Sequence, residues 1–228
     1  MLLSFAFAML AGATSPDSVA AMHGVWVNDS THTVTHTLST EGDGRTLTQT
    51  IYYRHLVVSD SVLTETTVWE DDFSEKLQAA TTVTRYEDEG AQLRLGDVLV
   101  DVAVEEDRLV TSSAYGSTTY RRGEPTETPV SLFGTWIGYV TDNAGVTIDL
   151  AFVFSEEGTL RVGFGDPTPF RVLNDYLLFA ENQVAMDTPT GHVQAWEVAR
   201  YEVIGPDRID LVMADGGTTP LVRMRPQD

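Results

Sequence analysis

The chain has 228 residues, with 34 acidic residues against 14 basic ones and a formal net charge of −20. Nucleic acids and anionic membrane surfaces need Lys and Arg opposite their phosphates, so this charge argues against both as partners. The absence of cysteine excludes disulfides, thiolate zinc sites and cysteine nucleophiles. With 42% hydrophobic residues, the chain can bury one large core or two small ones.

The N-terminus predicts an export signal. An apolar run from Leu2 to Ala11 is followed by the small residues of 11–13 and 18–21. This order is typical of the hydrophobic and cleavage regions of a secretory signal. The run is also too short to span a bilayer as a permanent helix. We therefore expect a signal peptide over residues 1–21, cleaved after Ala13 or Ala20. The protein is then secreted or periplasmic and has no integral membrane segment after signal removal.

Alternating sequence fills the first half, residues 22–123. After a first strand at 24–27, the stretch 31–40 alternates strictly, with threonines at 31, 33, 35 and 37 on one face. A hairpin turn at 41–44 then leads to a return strand at 46–53. One face of the first strand of this hairpin carries His32, Val34, His36 and Leu38, and one face of the second carries Leu47, Gln49, Ile51 and Tyr53. Further short strands run to residue 122, separated by acidic turns.

A proline-containing segment over residues 124–129 has no large apolar residue and predicts a linker. In the second half, residues 130–228, the stretch 146–155 alternates with Val146, Ile148, Leu150, Phe152 and Phe154 on one face. A return strand follows with Leu160, Val162 and Phe164. No long stretch has helical periodicity. Short strands between acidic-glycine turns predict an all-β protein of antiparallel sheets, closed into barrels or packed as sandwiches.

The same short motif opens both halves. Each has a Gly two residues before a Trp, at Gly24 and Trp26 and again at Gly134 and Trp136. Each half also ends in arginines, at Tyr120-Arg121-Arg122 and Val222-Arg223-Met224-Arg225. This combination resembles the lipocalin-like (calycin) barrels, where the Trp plugs the closed end and a late Arg packs across its ring. The resemblance implies two tandem small antiparallel β-barrels, with Trp26 against Arg121 (or its neighbour Arg122) and Trp136 against Arg223 as structural plugs.

Catalytic and metal chemistry find little support in the sequence. His32 and His36 share a strand face, but four residues at ~3.3 Å each separate them by ~13 Å, too far to chelate one ion. The acidic clusters lie in turns and do not match a calcium loop, and no Gly-x-Ser-x-Gly turn is present. We therefore expect no metal and no cofactor, and the sequence names no catalytic residue.

The leading interpretation of these patterns is an exported binding protein for a small apolar or amphipathic molecule, or for another envelope protein. Apolar burial inside the barrels would hold a small ligand. The expected lining residues are Trp136, Phe152, Phe154, Phe164, Tyr176, His32, His36 and Tyr53. Two alternatives stay open: a cofactor-free β-barrel cyclase or isomerase acting on a hydrophobic substrate, and a structural or inhibitory envelope module with filled barrels. The fold by itself does not choose among these three.

Overall fold

The computed structural model describes residues 18–40, 43–74, 76–114, 116–124, 129–141, 145–179, 185–188 and 190–225. Within them lie a short helix α1 (Ser18–Met22), a 3-10 turn (Val130–Leu132) and nineteen strands, which confirms the all-β prediction. The strands are β1 Gly24–Asn28, β2 His32–Thr40, β3 Asp43–Ser59, β4 Val62–Asp71, β5 Leu77–Arg85, β6 Glu87–Asp88, β7 Gln92–Leu95, β8 Val98–Glu105, β9 Arg108–Ser113, β10 Gly116–Arg122, β11 Gly134–Thr141, β12 Thr147–Phe154, β13 Thr159–Val162, β14 Thr168–Leu173, β15 Tyr176–Phe179, β16 Ala185–Thr188, β17 Gly191–Gly205, β18 Arg208–Met213 and β19 Thr218–Arg223.

The second half forms a closed antiparallel barrel of eight strands. Its ladder runs β11-β12-β13-β14-β15-β17-β18-β19 and returns from β19 to β11. Alternate residues of these strands face inward, as the period of two requires. The buried interior is one cluster of Leu132, Trp136, Phe152, Phe154, Leu160, Phe170, Val172, Leu177, Ala199, Ile209, Leu211 and Leu221. A closed barrel is therefore present in this half.

The first half has an open ladder. Its strands pair in the order β6-β7-β8-β9-β10-β1-β3-β4-β5. In the described residues no ladder joins β5 to β6 or β7, so the prediction of two closed barrels is not confirmed here. The sheet nevertheless wraps around its own core, because residues of β1, β3, β7, β8, β9 and β10 meet in one buried cluster.

Strand β3 has 17 residues and contains a bulge, after which its side chains point to the opposite faces of the sheet. Its first part pairs with β2 and its last part with β1, so β1 and β2 lie end to end along one edge of β3. On the other edge, the register with β4 shifts between Ile51 and Tyr53. The extra residue is Tyr52, and one inserted residue moves every later side chain to the opposite face of the strand.

One strand belongs to both halves. The first part of β17 pairs with β16 and with β5 of the first half, from Gly191 opposite Thr84 to Trp196 opposite Ala79. Its last part pairs with β15 and β18 inside the closed barrel. A buried cluster covers this junction and joins Val27, Tyr53, Val68 and Ala79 to Leu173, Tyr176, Leu178, Trp196 and Val198. The two halves therefore share a sheet and a core cluster. Most of the predicted linker, residues 125–128, lies outside the described residues.

Candidate functional site

Trp136 lies in the buried interior of the second-half barrel. Its side chain is 1% exposed, and its indole Nε1 donates a 2.8 Å hydrogen bond to the carbonyl of Leu132. The guanidinium carbon of Arg223 lies 4.3 Å from the ring centroid, because Arg223 stands directly opposite Trp136 in the ladder. Arg223 also donates to the carbonyls of Phe133 and Ser131. The arginine thus covers the indole and caps the 3-10 turn before the strand.

The first half repeats this arrangement contact for contact. The Nε1 of Trp26 donates to the carbonyl of Met22 at 2.6 Å, and the guanidinium carbon of Arg122 lies 3.9 Å from the ring centroid. The choice of Arg121 as the plug arginine is wrong. Arg121 stands opposite Val27, so it points to the other face and donates from Nη2 to Asp29 Oδ2 at 2.7 Å. Arg122 stands opposite Trp26 and donates to the carbonyls of His23 and Ala21.

The glycine of each motif has a structural reason. Gly24 and Gly134 have φ values of +121° and +122°, a region that side chains rarely adopt. A Cβ on Gly24 would lie 2.9 Å from a guanidinium nitrogen of Arg122, and one on Gly134 would lie 3.2 Å from the equivalent atom of Arg223. Glycine therefore lets the arginine approach the Trp closely.

The interior of the second-half barrel is packed, and two residues expected there lie elsewhere. Trp136, Phe152 and Phe154 are buried in its core cluster, where Phe154 packs edge-on against Phe170 with ring centroids 5.3 Å apart. Phe164 is fully exposed, because the turn after β13 aims its side chain outward. Tyr176 is buried, but on the outer face of β15 in the junction between the halves, since its neighbour Leu177 takes the inward position.

A cavity of about 510 Å³ lies on the inner face of the first half. One part of its wall is aliphatic: Val34, Ile51, Leu56, Leu63, Leu95 and Val100. The other part is polar: His32, Gln49, Arg54, Glu65, Thr82, Thr84, Thr111, Ser112, Ser113, Ser117, Thr118 and Tyr120. A neighbouring space of about 610 Å³ beside the β1–β10 pair shares His32, Ser117, Thr118 and Tyr120 with the cavity.

Arg54, Glu65, Thr118 and Tyr120 form a connected polar network in the cavity wall. Arg54 Nη1 donates to Thr118 Oγ1 at 3.0 Å and lies 3.8 Å from Glu65 Oε1. The same carboxylate oxygen accepts a 2.7 Å hydrogen bond from Tyr120 Oη. Burial and the Glu65 carboxylate raise the pKa of Tyr120 well above its usual value. Tyr120 therefore keeps its proton and acts as a hydrogen-bond donor to Glu65 at neutral pH.

One hydrogen-bond donor of Arg54, its Nε, has no partner in this network. Within the described part of the chain, its Nε and the indole Nε1 of Trp69 are buried without a hydrogen-bond partner. Both residues lie on the inner face, since Trp69 is opposite Ile51 and Arg54 is opposite Thr67 in the β3–β4 ladder. Buried donors are normally paired, and leaving one unpaired costs about 1–3 kcal/mol. The Nε of Arg54, a residue that lines the cavity, is therefore a donor that a polar group of a ligand could satisfy.

The expectation that Tyr53 lines the interior is wrong because of the bulge at Tyr52. Strict alternation from Gln49 and Ile51 predicts Tyr53 inward, but the extra residue turns Tyr53 to the outer face and Arg54 to the cavity. Tyr53 packs at the junction against Tyr176, with ring centroids 6.2 Å apart. The sequence signal for Arg54 and Glu65 was weak: each is a single charged residue in a strand-like stretch, and neither was proposed as a site residue.

The histidines lie in separate places. His32 lines both the cavity and the neighbouring space, with Nδ1 2.9 Å from the carbonyl of Ser30. His36 stands opposite Leu47, but its side chain lies outside the described residues. His23 is near Asp60, and His55 is buried on the outer face of β3, where burial and the nearby Arg171 lower its pKa. In the part of the chain that the structure describes, no three metal-ligating side chains form a group.

Comparisons with known proteins found no match. No protein-family model matches the chain, and neither a curated protein nor a solved structure matches it. Among the described residues, no helix is long and apolar enough to cross a membrane. The case for function therefore rests on the cavity and its wall.

Proposed function

We propose that this protein binds a small amphipathic molecule in the cavity of its first half. The observation that carries the proposal is the contrast between the two halves. The first half leaves a cavity of about 510 Å³, within the range of about 300–1,000 Å³ typical of small-molecule sites. The second-half barrel is filled by aromatic and aliphatic side chains. The filled barrel then serves as a scaffold and the first half as the binding unit.

The two-sided wall supports an amphipathic ligand rather than a purely apolar one. Aliphatic side chains of β3, β4, β7 and β8 offer a surface on which a hydrocarbon part gains about 25 cal/mol for each Å² it buries. The Arg54–Glu65–Tyr120 network lies in the same space, and the Nε of Arg54 has no partner among the described residues. A hydrocarbon alone would leave these polar groups without water, which costs free energy.

We also propose that each half is a lipocalin-like unit, and that the first is a barrel with an open seam. The repeated plug supports this, since Trp, the capping carbonyls and the stacked arginine recur in both halves. The order of the ladder also recurs, with β1-β3-β4-β5 and β7-β8-β9-β10 taking the places of β11-β12-β13-β14 and β15-β17-β18-β19.

Binding is tested by titration with the neutral fluorescent probe N-phenyl-1-naphthylamine. We expect saturable binding with about one site per chain. Val100→Trp, which places a large ring in the cavity wall, should weaken binding at least tenfold. Val203→Trp is the matched control, because Val203 is 64% exposed on the other half, and it should bind like the wild type. The proposal fails if the probe does not bind saturably and native mass spectrometry of protein from its own host finds no co-purifying molecule.

A second candidate, a β-barrel cyclase or isomerase, is favoured by one observation. Glu65 places a carboxylate, hydrogen-bonded to Tyr120, inside a partly apolar cavity, where it could act as a general acid or base. The identity of the molecule that co-purifies with wild type and with Glu65→Gln separates the two functions. An enzyme retains the substrate in the variant and its isomerised or cyclised product in the wild type, whereas a binding protein holds molecules that are not related as substrate and product.

We further propose that the protein is exported. The apolar run and the small residues after it support a signal peptide, most of which lies outside the described residues. Cleavage after Ala13 or Ala20 would keep Ala21 and Met22, whose carbonyls accept hydrogen bonds from Arg122 and Trp26. N-terminal sequencing of protein from its own host should begin at residue 14 or 21. An intact Met1 on the folded protein would contradict export.

A further inference from the structure

We propose that the ligand of the first-half cavity is an uncharged amphiphile with a hydroxyl or amide head group, because Arg54 and Glu65 cancel each other's charge inside the cavity. This inference rests on the proposed function and names the chemical class of its ligand. It also identifies Arg54 and Glu65 as the residues that set this selectivity.

The charges of the cavity wall are few and balanced. Among the described residues that line the cavity, Arg54 and Glu65 are the two Arg, Lys, Asp or Glu side chains. Their nearest charged atoms are 3.8 Å apart, and their side chains are 19% and 33% exposed. Thr118 and Tyr120 fix them in place through hydrogen bonds. The pair is therefore an internal salt bridge with no net charge to offer a ligand.

The neighbouring space is balanced in the same way. It is lined by Asp29 and Asp107 together with Arg108 and Arg121, two acidic and two basic residues. Asp29 is already paired with Arg121 at 2.7 Å. The surroundings of this side of the cavity therefore have no excess of either sign, although the whole chain carries a net charge of −20.

An ionic head group meets a like charge wherever it binds beside this pair. A carboxylate that approaches Arg54 also approaches Glu65, and an ammonium that approaches Glu65 also approaches Arg54. Each ion would lose its hydration without gaining an unopposed partner, and this combination selects against ions. A neutral head group loses less hydration and can donate to Glu65 and accept from Arg54 at once.

The rest of the polar wall fits a neutral head group. It consists of hydroxyl and amide side chains: Gln49, Thr82, Thr84, Thr111, Ser112 and Ser117. Such groups both donate and accept hydrogen bonds, so they match hydroxyls and amides rather than ions. The aliphatic wall then takes the hydrocarbon part. Fatty amides, alkyl polyols and alkyl glycosides belong to the class that this wall would accept.

The test uses three ligands with the same eight-carbon chain and different head groups: octanamide, octanoate and octylammonium. Their affinities for the full chain are measured at pH 8 by displacement of N-phenyl-1-naphthylamine and checked by calorimetry. We expect octanamide to bind at least tenfold more tightly than either ion. If either ion binds as tightly as octanamide, the inference is wrong while the proposed binding function stands. If none of the three binds and the probe does not bind, both are wrong.

Charge variants then test the assigned residues. Glu65→Gln leaves Arg54 unopposed, so octanoate should gain at least tenfold relative to octanamide. Arg54→Gln should give the same gain to octylammonium. The double variant Arg54→Gln/Glu65→Gln restores a neutral wall and should return the preference for octanamide, and it avoids a single unpaired charge that could prevent folding. Circular dichroism checks the fold of each variant. Unchanged ratios in folded single variants, or a double variant that prefers an ion, would overturn the inference.

Discussion

Replacing Trp136 by alanine removes the largest side chain of the buried cluster in the second-half barrel. The ring is 1% exposed, lies under Arg223 and donates its Nε1 proton to the carbonyl of Leu132. Removing a fully buried aromatic ring costs about 3–5 kcal/mol, since the lost burial adds to the cavity that remains. Arg223→Ala should cost less, about 1–2 kcal/mol, because stacking at a partly exposed site contributes about 0.5–1 kcal/mol and the carbonyl hydrogen bonds add a similar amount.

Urea denaturation followed by far-ultraviolet circular dichroism measures these costs. Tyr139→Ala is the matched control, because Tyr139 is an aromatic residue of the same strand that is 51% exposed. The control should change the free energy of unfolding by no more than about 0.5 kcal/mol. If Trp136→Ala costs less than about 1 kcal/mol, the indole does not close the barrel, and the resemblance to lipocalin-like barrels loses its main support.

The first half offers an internal check on the same reasoning. Trp26→Ala should cost as much as Trp136→Ala, because Trp26 is 0% exposed and makes the equivalent contacts. Arg122→Ala should cost about 1–2 kcal/mol. Arg121→Ala is the matched control, since its exposed ion pair with Asp29 is worth at most about 1 kcal/mol. A larger cost at Arg121 than at Arg122 would refute the assignment of the stacked arginine.

Three further predictions concern the backbone at Gly134, the buried His55 and the segment that joins the two halves. Gly134→Ala should cost about 1–3 kcal/mol in urea denaturation because of its φ of +122°, whereas Gly205→Ala, in open space, should cost little. Burial and Arg171 lower the pKa of His55, so the unfolded chain binds the proton first, and stability should fall as pH drops below 6.5 through the lowered folded pKa. Proteolytic cleavage in the segment 124–129 should leave the halves associated on gel filtration, because they share β17 and a buried cluster.

Each of these has a clear opposing result. Equal stability of the two glycine variants would mean that the positive φ is not a constraint. The pH effect is read from urea midpoints at pH 7.5 and 5.5, and His55→Gln should reduce their difference; an unchanged difference would place the titrating group elsewhere. Separation of the cleaved halves into independent folded fragments would mean that the β5–β17 pairing contributes little to stability.

The plug and the regular strands could be predicted from the sequence because their determinants are local and repeated. The Gly-x-Trp motif occurs twice, and each copy lies at the start of a strand that faces a late arginine. Strict alternation in β12 has no bulge, so the inward facing of Phe152 and Phe154 followed from the period of two. Which of the adjacent arginines stacks on Trp26 depends on the register of β1 against β10, and the sequence does not contain that register.

The local sequence pattern could not predict which strand face Tyr176 and Tyr53 occupy. The stretch Tyr176–Phe179 is apolar on both faces, because one face fills the barrel and the other fills the junction, so alternation cannot say which is which. At Tyr53 the pattern indicated the wrong face, because the bulge at Tyr52 arises in pairing with β4 and leaves no mark in the local sequence. One inserted residue exchanged Tyr53 for Arg54 in the cavity wall.

Composition, alternation and a short motif are enough to predict an all-β chain, its acidic character and the repeated Trp–Arg pair, because each of these properties is encoded within a few residues. The candidate site, in contrast, depends on tertiary contacts. Glu65 and Tyr120 are 55 residues apart and meet only after β10 closes against β1 and β1 pairs with β3. Tertiary structure also decided that β17 serves both halves, because strand pairing between distant segments depends on which edges remain open after each half has folded around its own core.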